Sequence, residues 1–198
     1  MKSTIRKKEI IESAKKLFAK SGYYETHVES ILREAKIGKG TFYLYFKNKK
    51  DIFTTILDDF LDEWVKGLKA TLADIEPTDL QGCYRTMINS SFRFFRLDPY
   101  ISKIFVRVGP GINEHFEPYI QRFEQTMLEY LMDYLQRGIN NGLFRKDLDV
   151  ELVSNILVGG HLRIAYSYFI NKPANRQRKS IEQISKDVYN MVIQGLIV

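Results

Sequence analysis

The chain has 198 residues, 44% of them apolar and 27% charged, a globular mix that excludes a disordered chain and suits one large domain or two small ones. Five Pro and twelve Gly are few for this length, which argues against turn-rich all-β architectures, and a single cysteine, Cys83, leaves neither an internal disulfide nor a thiol-pair zinc site. The formal net charge of +6 is uneven: residues 1–50 hold 13 Lys/Arg against 5 Asp/Glu, and residues 51–198 hold 17 against 19, so a basic head precedes a near-neutral body and the head calls for an anionic partner.

Helical periodicity runs along the whole chain. Ile10, Ile11, Ala14, Leu17 and Phe18 make one apolar face, with Lys7, Lys8, Lys15 and Lys16 elsewhere, and Gly22 ends this helix just after Ser21. Thr26 with Glu29 three residues on reads as a capping box opening a second helix, whose buried side is Val28, Ile31, Leu32 and Ala35. A turn at Lys36-Ile37-Gly38 leads to a third short helix, about 38–45. Asn48, with Asp51 at the third position, caps a long fourth helix over about 48–75. Its apolar doublets run from Ile52-Phe53 through Ile56-Leu57, Phe60-Leu61 and Trp64-Val65 to Leu68. Further helices are predicted at 79–97, 99–108, 113–141, 148–171 and 177–197, separated by Asp98-Pro99, Gly109-Pro110-Gly111, Asn140-Asn141-Gly142 and Asn171-Lys172-Pro173. No alternating strand of five or more residues stands out. The expected fold is all-α, about nine helices, with a head at 1–47 and a body at 48–198 joined by the fourth helix.

The most apolar stretch, Asn155 to Ile170, contains His161 and Arg163 and is too short and polar to span a bilayer. No basic start leads into an unbroken apolar run, so no cleaved signal peptide is indicated and a soluble, cytoplasmic protein is expected.

Two short helices across a tight turn are the arrangement of a helix-turn-helix, whose second helix enters the major groove while the first crosses the phosphates. In the run Gly38-Lys39-Gly40-Thr41-Phe42-Tyr43-Leu44-Tyr45-Phe46, Phe42 and Phe46 can bury inward, leaving Lys39, Gly40, Thr41, Tyr43 and Tyr45 to the outside. Lys39 can donate to guanine O6 and N7, Thr41 can touch a thymine methyl or a phosphate, Gly40 allows close backbone approach, and tyrosine hydroxyls suit phosphates.

The stretch from Ile10 to Phe53, with Gly22-Tyr23, Thr26, Gly40-Thr41-Phe42-Tyr43-Leu44-Tyr45-Phe46 and Lys49 at its fixed spacings, resembles the DNA-binding head of the tetracycline-repressor (TetR) family of bacterial regulators. The resemblance implies that Thr26, Tyr43, Tyr45 and Lys49 contact phosphates and that Lys39, Gly40 and Thr41 face base edges. Three positions depart from the family pattern. Lys36 stands where the family commonly has Gly, Gly38 where Ser is frequent, and Glu29 where a DNA-contacting Arg is frequent; Glu29 then closes the capping box or reads a cytosine amino group.

The same resemblance implies a ligand cavity among the middle helices, for which Phe60, Trp64, Asn89, Phe92, Arg107, His161 and Arg163 are the candidates; single aromatics there are otherwise core. It also implies dimerisation through the last two helices. Ile181, Ile184, Val188 and Met191 form one seam, Ile156, Gly160 and Ile164 the other, and Gly159-Gly160 permits close approach; the alternative is that both helices are internal to a monomer. His27, His115 and His161 lie far apart without a cysteine partner, Asp58 to Glu63 suit a solvated face, and no phosphate loop, nucleophile elbow or triad can be assembled, so no metal, cofactor or enzyme activity is expected.

The expected function is a DNA-binding transcriptional regulator, a repressor that holds a palindromic operator in double-stranded DNA as a homodimer and leaves it when a small-molecule effector binds the body. The alternative within the fold is control by a protein partner or a co-repressor. A reading from another class, a basic membrane-surface anchor on a lipid-binding body, fits poorly because the head's outer face carries Thr, Tyr and Gly in helix-turn-helix order.

Overall fold

A computed structural model describes residues 2–76, 78–108, 117–170 and 179–196. Among them every regular element is helical: α1 (Lys2–Glu25), α2 (Val28–Glu34), α3 (Lys39–Tyr43), α4 (Lys49–Ala73), α5 (Leu80–Leu97), α6 (Pro99–Val108), α7 (Glu117–Asn140), α8 (Val150–Ala165) and α9 (Ile181–Leu196). The all-α expectation holds. No helix among the described residues is long and apolar enough to cross a membrane. The chain divides into two compact units, one of Met1–Asp62 with Asp98–Ile120, the other of Glu63–Leu97 with Gln121–Val198.

In the first unit, α1 is broken at Gly22 (φ 85°, ψ 172°), a left-handed conformation that an L side chain resists. The break turns Tyr23 back, so that its ring lies 4.8 Å from Phe53 while Phe53 meets Phe18 edge-on at 4.9 Å. Ile10, Ala14, Ile31, Phe42, Ile52 and Leu57 complete this core, all fully buried, each large side chain contributing about 1.5–3 kcal/mol by leaving water. α4 opens on the cap expected at Asn48: its Oδ1 accepts from the Asp51 N–H (2.9 Å), and Asp51 Oδ2 accepts from the N–H of Lys47, one residue before the cap (2.7 Å).

α6 comes from the middle of the sequence yet belongs to this unit, packed against α1. Asp98 makes the junction. Its Oδ1 accepts from the N–H groups of Tyr100 and Ile101 (3.0 and 3.1 Å), capping α6, and its Oδ2 accepts from Lys15 Nζ of α1 at 2.6 Å. Burial alone pulls the Lys15 ammonium down, but hydrogen bonds to Asp98 and Glu12 outweigh it and hold its pKa above the usual value.

The second unit is built on α5, whose inner face of Cys83, Tyr84, Ile88, Phe92 and Phe95 is buried and packs against α9 and α8. α7 ends at the predicted Asn-Asn-Gly breaker. Gly142 (φ 71°) sends its N–H to the Ile139 carbonyl, and Leu143 sends its N–H to Gly138, the paired bonds of a left-handed C-cap. Asp149 caps α8 by accepting from the Leu152 N–H at 3.0 Å, and α8 widens at its end into a π-helical turn, Tyr166–Ile170.

Candidate nucleic-acid interface and body pocket

The helix-turn-helix lies within the first unit. α2 ends in the same C-cap as α7: the Lys36 N–H donates to the Arg33 carbonyl and the Ile37 N–H to Leu32. The residue that must turn left-handed is Lys36, at φ 53°, the position where the family pattern has Gly. This side chain costs roughly 1 kcal/mol there. The turn delivers α3, whose N-cap Gly38 offers no side chain. Phe42 and Phe46 point inward and are buried, 5.7 Å apart, while Lys39, Gly40, Tyr43 and Leu44 are exposed and Thr41 and Tyr45 half-buried. Backbone bonds from Tyr45 and Phe46 to the Phe42 carbonyl carry the helical path past Tyr43, close to the predicted end at Tyr45.

Two predicted contact residues are engaged inside the fold. Thr26 is not the cap of α2; His27 occupies that place and makes no side-chain cap bond. The Thr26 hydroxyl instead donates to the Gly22 carbonyl at 2.7 Å, and the residue is only 2% exposed. The break at Gly22 frees that carbonyl, and a threonine four residues on takes it. The expected Thr26–Glu29 capping box is therefore absent, and Glu29 stands exposed. Lys49 donates from Nζ to the carbonyls of Tyr23 (2.8 Å) and Tyr24 (3.1 Å) and sits 4.4 Å from the centre of the Tyr23 ring. Burial lowers its pKa, against an attraction from Glu25 that raises it. Lys49 thus ties the start of α4 to the end of α1.

In the second unit the structure brings together Phe92 and His161. Their rings stack in parallel at 4.1 Å, Phe169 of the π-helical turn approaches Phe92 at 5.6 Å, and His161 Nε2 lies 2.7 Å from the Ser91 hydroxyl. Burial pushes the His161 pKa down to about 4, so the ring is neutral near pH 7. Asn89 is half-buried, and its Oδ1 has no hydrogen-bond partner among the described residues. Trp64 stacks on Phe123 at 4.5 Å and lines a different space, an open cleft of about 240 Å³ between α4 and α5 with Leu68, Ser90, Arg93 and Phe94. Phe60 is a core residue of the first unit. Arg163 is exposed, its guanidinium 5.5 Å from the Tyr166 ring, and the Arg107 side chain lies outside the described residues. Ser91 and Phe169 were missed from the sequence, because nothing in the spacing ties residues 70 apart to one site.

The interface residues split in the same way. Ile156 (62% exposed), Gly160 and Met191 (67% exposed) face outward with Leu152, and Ile164 and Val188 are half-buried. Ile181 and Ile184 are buried inside the second unit.

The family model for bacterial regulatory proteins of the tetR family matches residues 10–56. Over nearly the full length, the chain is 22% identical to the fatty acid metabolism regulator protein of Bacillus subtilis, covering 95% of this chain and 94% of that one. It is 28% identical to the transcriptional repressor KstR2 of Mycolicibacterium smegmatis, covering 75% and 72%. The crystal structure of the regulator FadR from Bacillus subtilis with stearoyl-CoA shares the fold, with a TM-score of 0.74, 24% identity and coverage of 94% and 97%. Residues 10–56 thus match a helix-turn-helix head of the tetR type, the helical layout along the chain is one these regulators share, and the protein is a DNA-binding regulator of transcription.

Proposed function

We propose that the protein is a repressor that holds a palindromic operator as a homodimer, through α3 of each copy, and releases it when an apolar small molecule enters the body. The observation that carries this reading is the outward face of α3. Four exposed residues, Lys39, Gly40, Tyr43 and Leu44, stand opposite buried Phe42 and Phe46, on a head whose basic excess suits phosphates. In this reading Lys39, Gly40 and Thr41 meet base edges, Tyr43 and Tyr45 meet phosphates, and Thr26 and Lys49 hold α1, α2 and α4 in register so that α3 is presented correctly. The dimer contact is the exposed apolar stripe of Leu152, Ile156 and Gly160 on α8 with Met191 on α9, flanked by Ile164 and Val188. Ile181 and Ile184 act from beneath, as core.

The effector site is the aromatic interior of the second unit, where the neutral His161–Ser91 pair and Asn89 Oδ1 give an apolar ligand a few polar anchors. A regulator of this fold is seen with stearoyl-CoA, which makes long-chain acyl thioesters the first class to try. No enzymatic role is assigned, and the protein acts in the cytoplasm.

The test is selection of bound duplexes from a random pool, followed by titration with acyl-CoA of varied chain length. A palindrome with half-sites one helical turn apart, about 34–36 Å, is expected, and an inducer should weaken operator binding by roughly 5–150-fold. Trp64 lines a separate cleft, so ligand entry is read by calorimetry. A pool that enriches no sequence overturns operator binding, and neutral behaviour of every acyl chain overturns that effector class.

A further inference from the structure

We propose that Leu44, together with Gly40 one turn before it, reads the C5-methyl group of a thymine in each operator half-site. This rests on the operator-binding reading above and adds a specificity residue to it. The two residues share a side of α3, because the Leu44 N–H donates to the Gly40 carbonyl at 3.2 Å, and residues four apart on a helix lie one above the other. That side is turned away from Phe42 and Phe46, which are buried.

Leu44 is 81% exposed, more than any other large apolar side chain among the described residues. Gly40 is the second observation. Its φ is not positive, and a Cβ built on it meets nothing within 4 Å, so neither backbone conformation nor internal crowding requires glycine. Within a helix, glycine is less favourable than alanine by roughly 1 kcal/mol. The bare position leaves room for something that approaches from outside.

Lys39 and Tyr43 beside this strip offer hydrogen-bonding groups; Gly40 and Leu44 offer none. Base edges in the major groove present donors, acceptors and one apolar group, the thymine methyl. A strip with no polar side chain, flanked by donors and able to come close through Gly40, matches that group. Leu44 covers the methyl, and Gly40 lets the helix axis approach far enough for it to do so.

The experiment starts from the duplex enriched by the selection and replaces its thymines one at a time, symmetrically, by deoxyuridine, which differs only in lacking the methyl. At one thymine per half-site, wild-type protein should bind about fourfold more weakly for each methyl removed, the value of one buried carbon group. Leu44→Ala should bind the thymine operator more weakly by a similar factor and be indifferent to deoxyuridine at that same position. Gly40→Ala should weaken operator binding while its denaturation midpoint stays at or above the wild-type value, which separates a contact effect from misfolding. If no thymine-to-deoxyuridine change affects the wild type, or if Leu44→Ala keeps full sensitivity at that thymine, the assignment is overturned although operator binding stands. Failure to enrich any duplex strikes the operator reading instead.

Discussion

The outer face of α3 and the outer faces of α8 and α9 are both left bare by the packing beneath them, and they differ in chemistry. On α3, Lys39 and Tyr43 border a narrow apolar strip of Gly40 and Leu44, within a strongly basic head. On α8, Leu152 and Ile156 run into Gly159-Gly160 with Arg163 one turn beyond, and α9 adds Met191 with the exposed Asp187 one turn before it. The first face suits a charged, hydrated partner whose binding displaces counterions, the second a close-packed helix from a second copy. Salt should therefore separate them: operator affinity falls steeply as salt rises, and dimer stability barely changes.

The largest predicted effect tests which positions of the α9 seam are core and which are contact. Ile184→Glu places an unpaired carboxylate inside the α5–α9 core, where Ile184 is 4% exposed. It should cost several kcal/mol, enough to unfold or aggregate a domain of ordinary stability. Met191→Glu and Ile156→Glu, on exposed positions, should fold with denaturation midpoints near wild type. In sedimentation they should run as monomers with operator affinity near the non-specific level. Intact dimers from both would move the interface to another surface.

The next effect concerns the buried polar pair of the second unit, which has no counterpart on either outer face. His161 has a folded pKa of about 4 against 6.5 unfolded, so between these values the unfolded chain binds the extra proton. Stability is complete above about pH 6.5 and falls as the pH drops toward 4, by about 3 kcal/mol in all. Urea unfolding from pH 7 to 4 should show this slope, and His161→Gln should flatten it. An unchanged slope in that variant would assign the acid sensitivity to other groups.

The difference between the two faces also shows what a sequence can reveal. Helix limits were legible because their punctuation is chemical: Asn48 with Asp51, Gly22, Asp98-Pro99 and Asn141-Gly142 act locally, and each stands in the structure as a cap or break. The inward face of α3 was legible because Phe42 and Phe46 are one turn apart. The α9 seam was not. Ile184 and Met191 are seven residues apart and only about 20° from each other around the helix, yet one is buried and the other exposed, because each meets different neighbours along the axis, which spacing within α9 does not record. Thr26 misled for another reason. A hydroxyl can cap forward or bond back to a carbonyl, and only the backbone break at Gly22 decides between them.

At the operator, Lys39→Ala should relax preference at one base position by about 1–3 kcal/mol, the value of a lost two-bond guanine contact. A uniform loss across all duplexes, with the salt slope reduced by about one, would make Lys39 a phosphate contact. Lys49→Ala should behave otherwise, because its ammonium is held by the Tyr23 and Tyr24 carbonyls. Its main signature should be a lower denaturation midpoint for the head.

The smallest effect compares two helix ends built with the same pair of hydrogen bonds, one on Lys36 after α2 and the other on Gly142 after α7. Both residues are left-handed, at φ 53° and 71°, but only glycine adopts that conformation without steric cost. Lys36→Gly should relieve the strain. Part of the gain is lost because glycine also loosens the unfolded chain, which leaves a net stabilisation of roughly 0.5–1 kcal/mol. Gly142→Ala imposes the same strain at the other end and should destabilise by a similar amount. Urea midpoints of the two variants should thus move in opposite directions. Lys36 lies in the turn that sets α3, so operator binding by Lys36→Gly adds a second reading. Unchanged affinity and salt slope would mean that Lys36 serves only the turn. A slope smaller by about one unit would mean that its ammonium meets a phosphate, giving a reason for a strained lysine where glycine fits the backbone better.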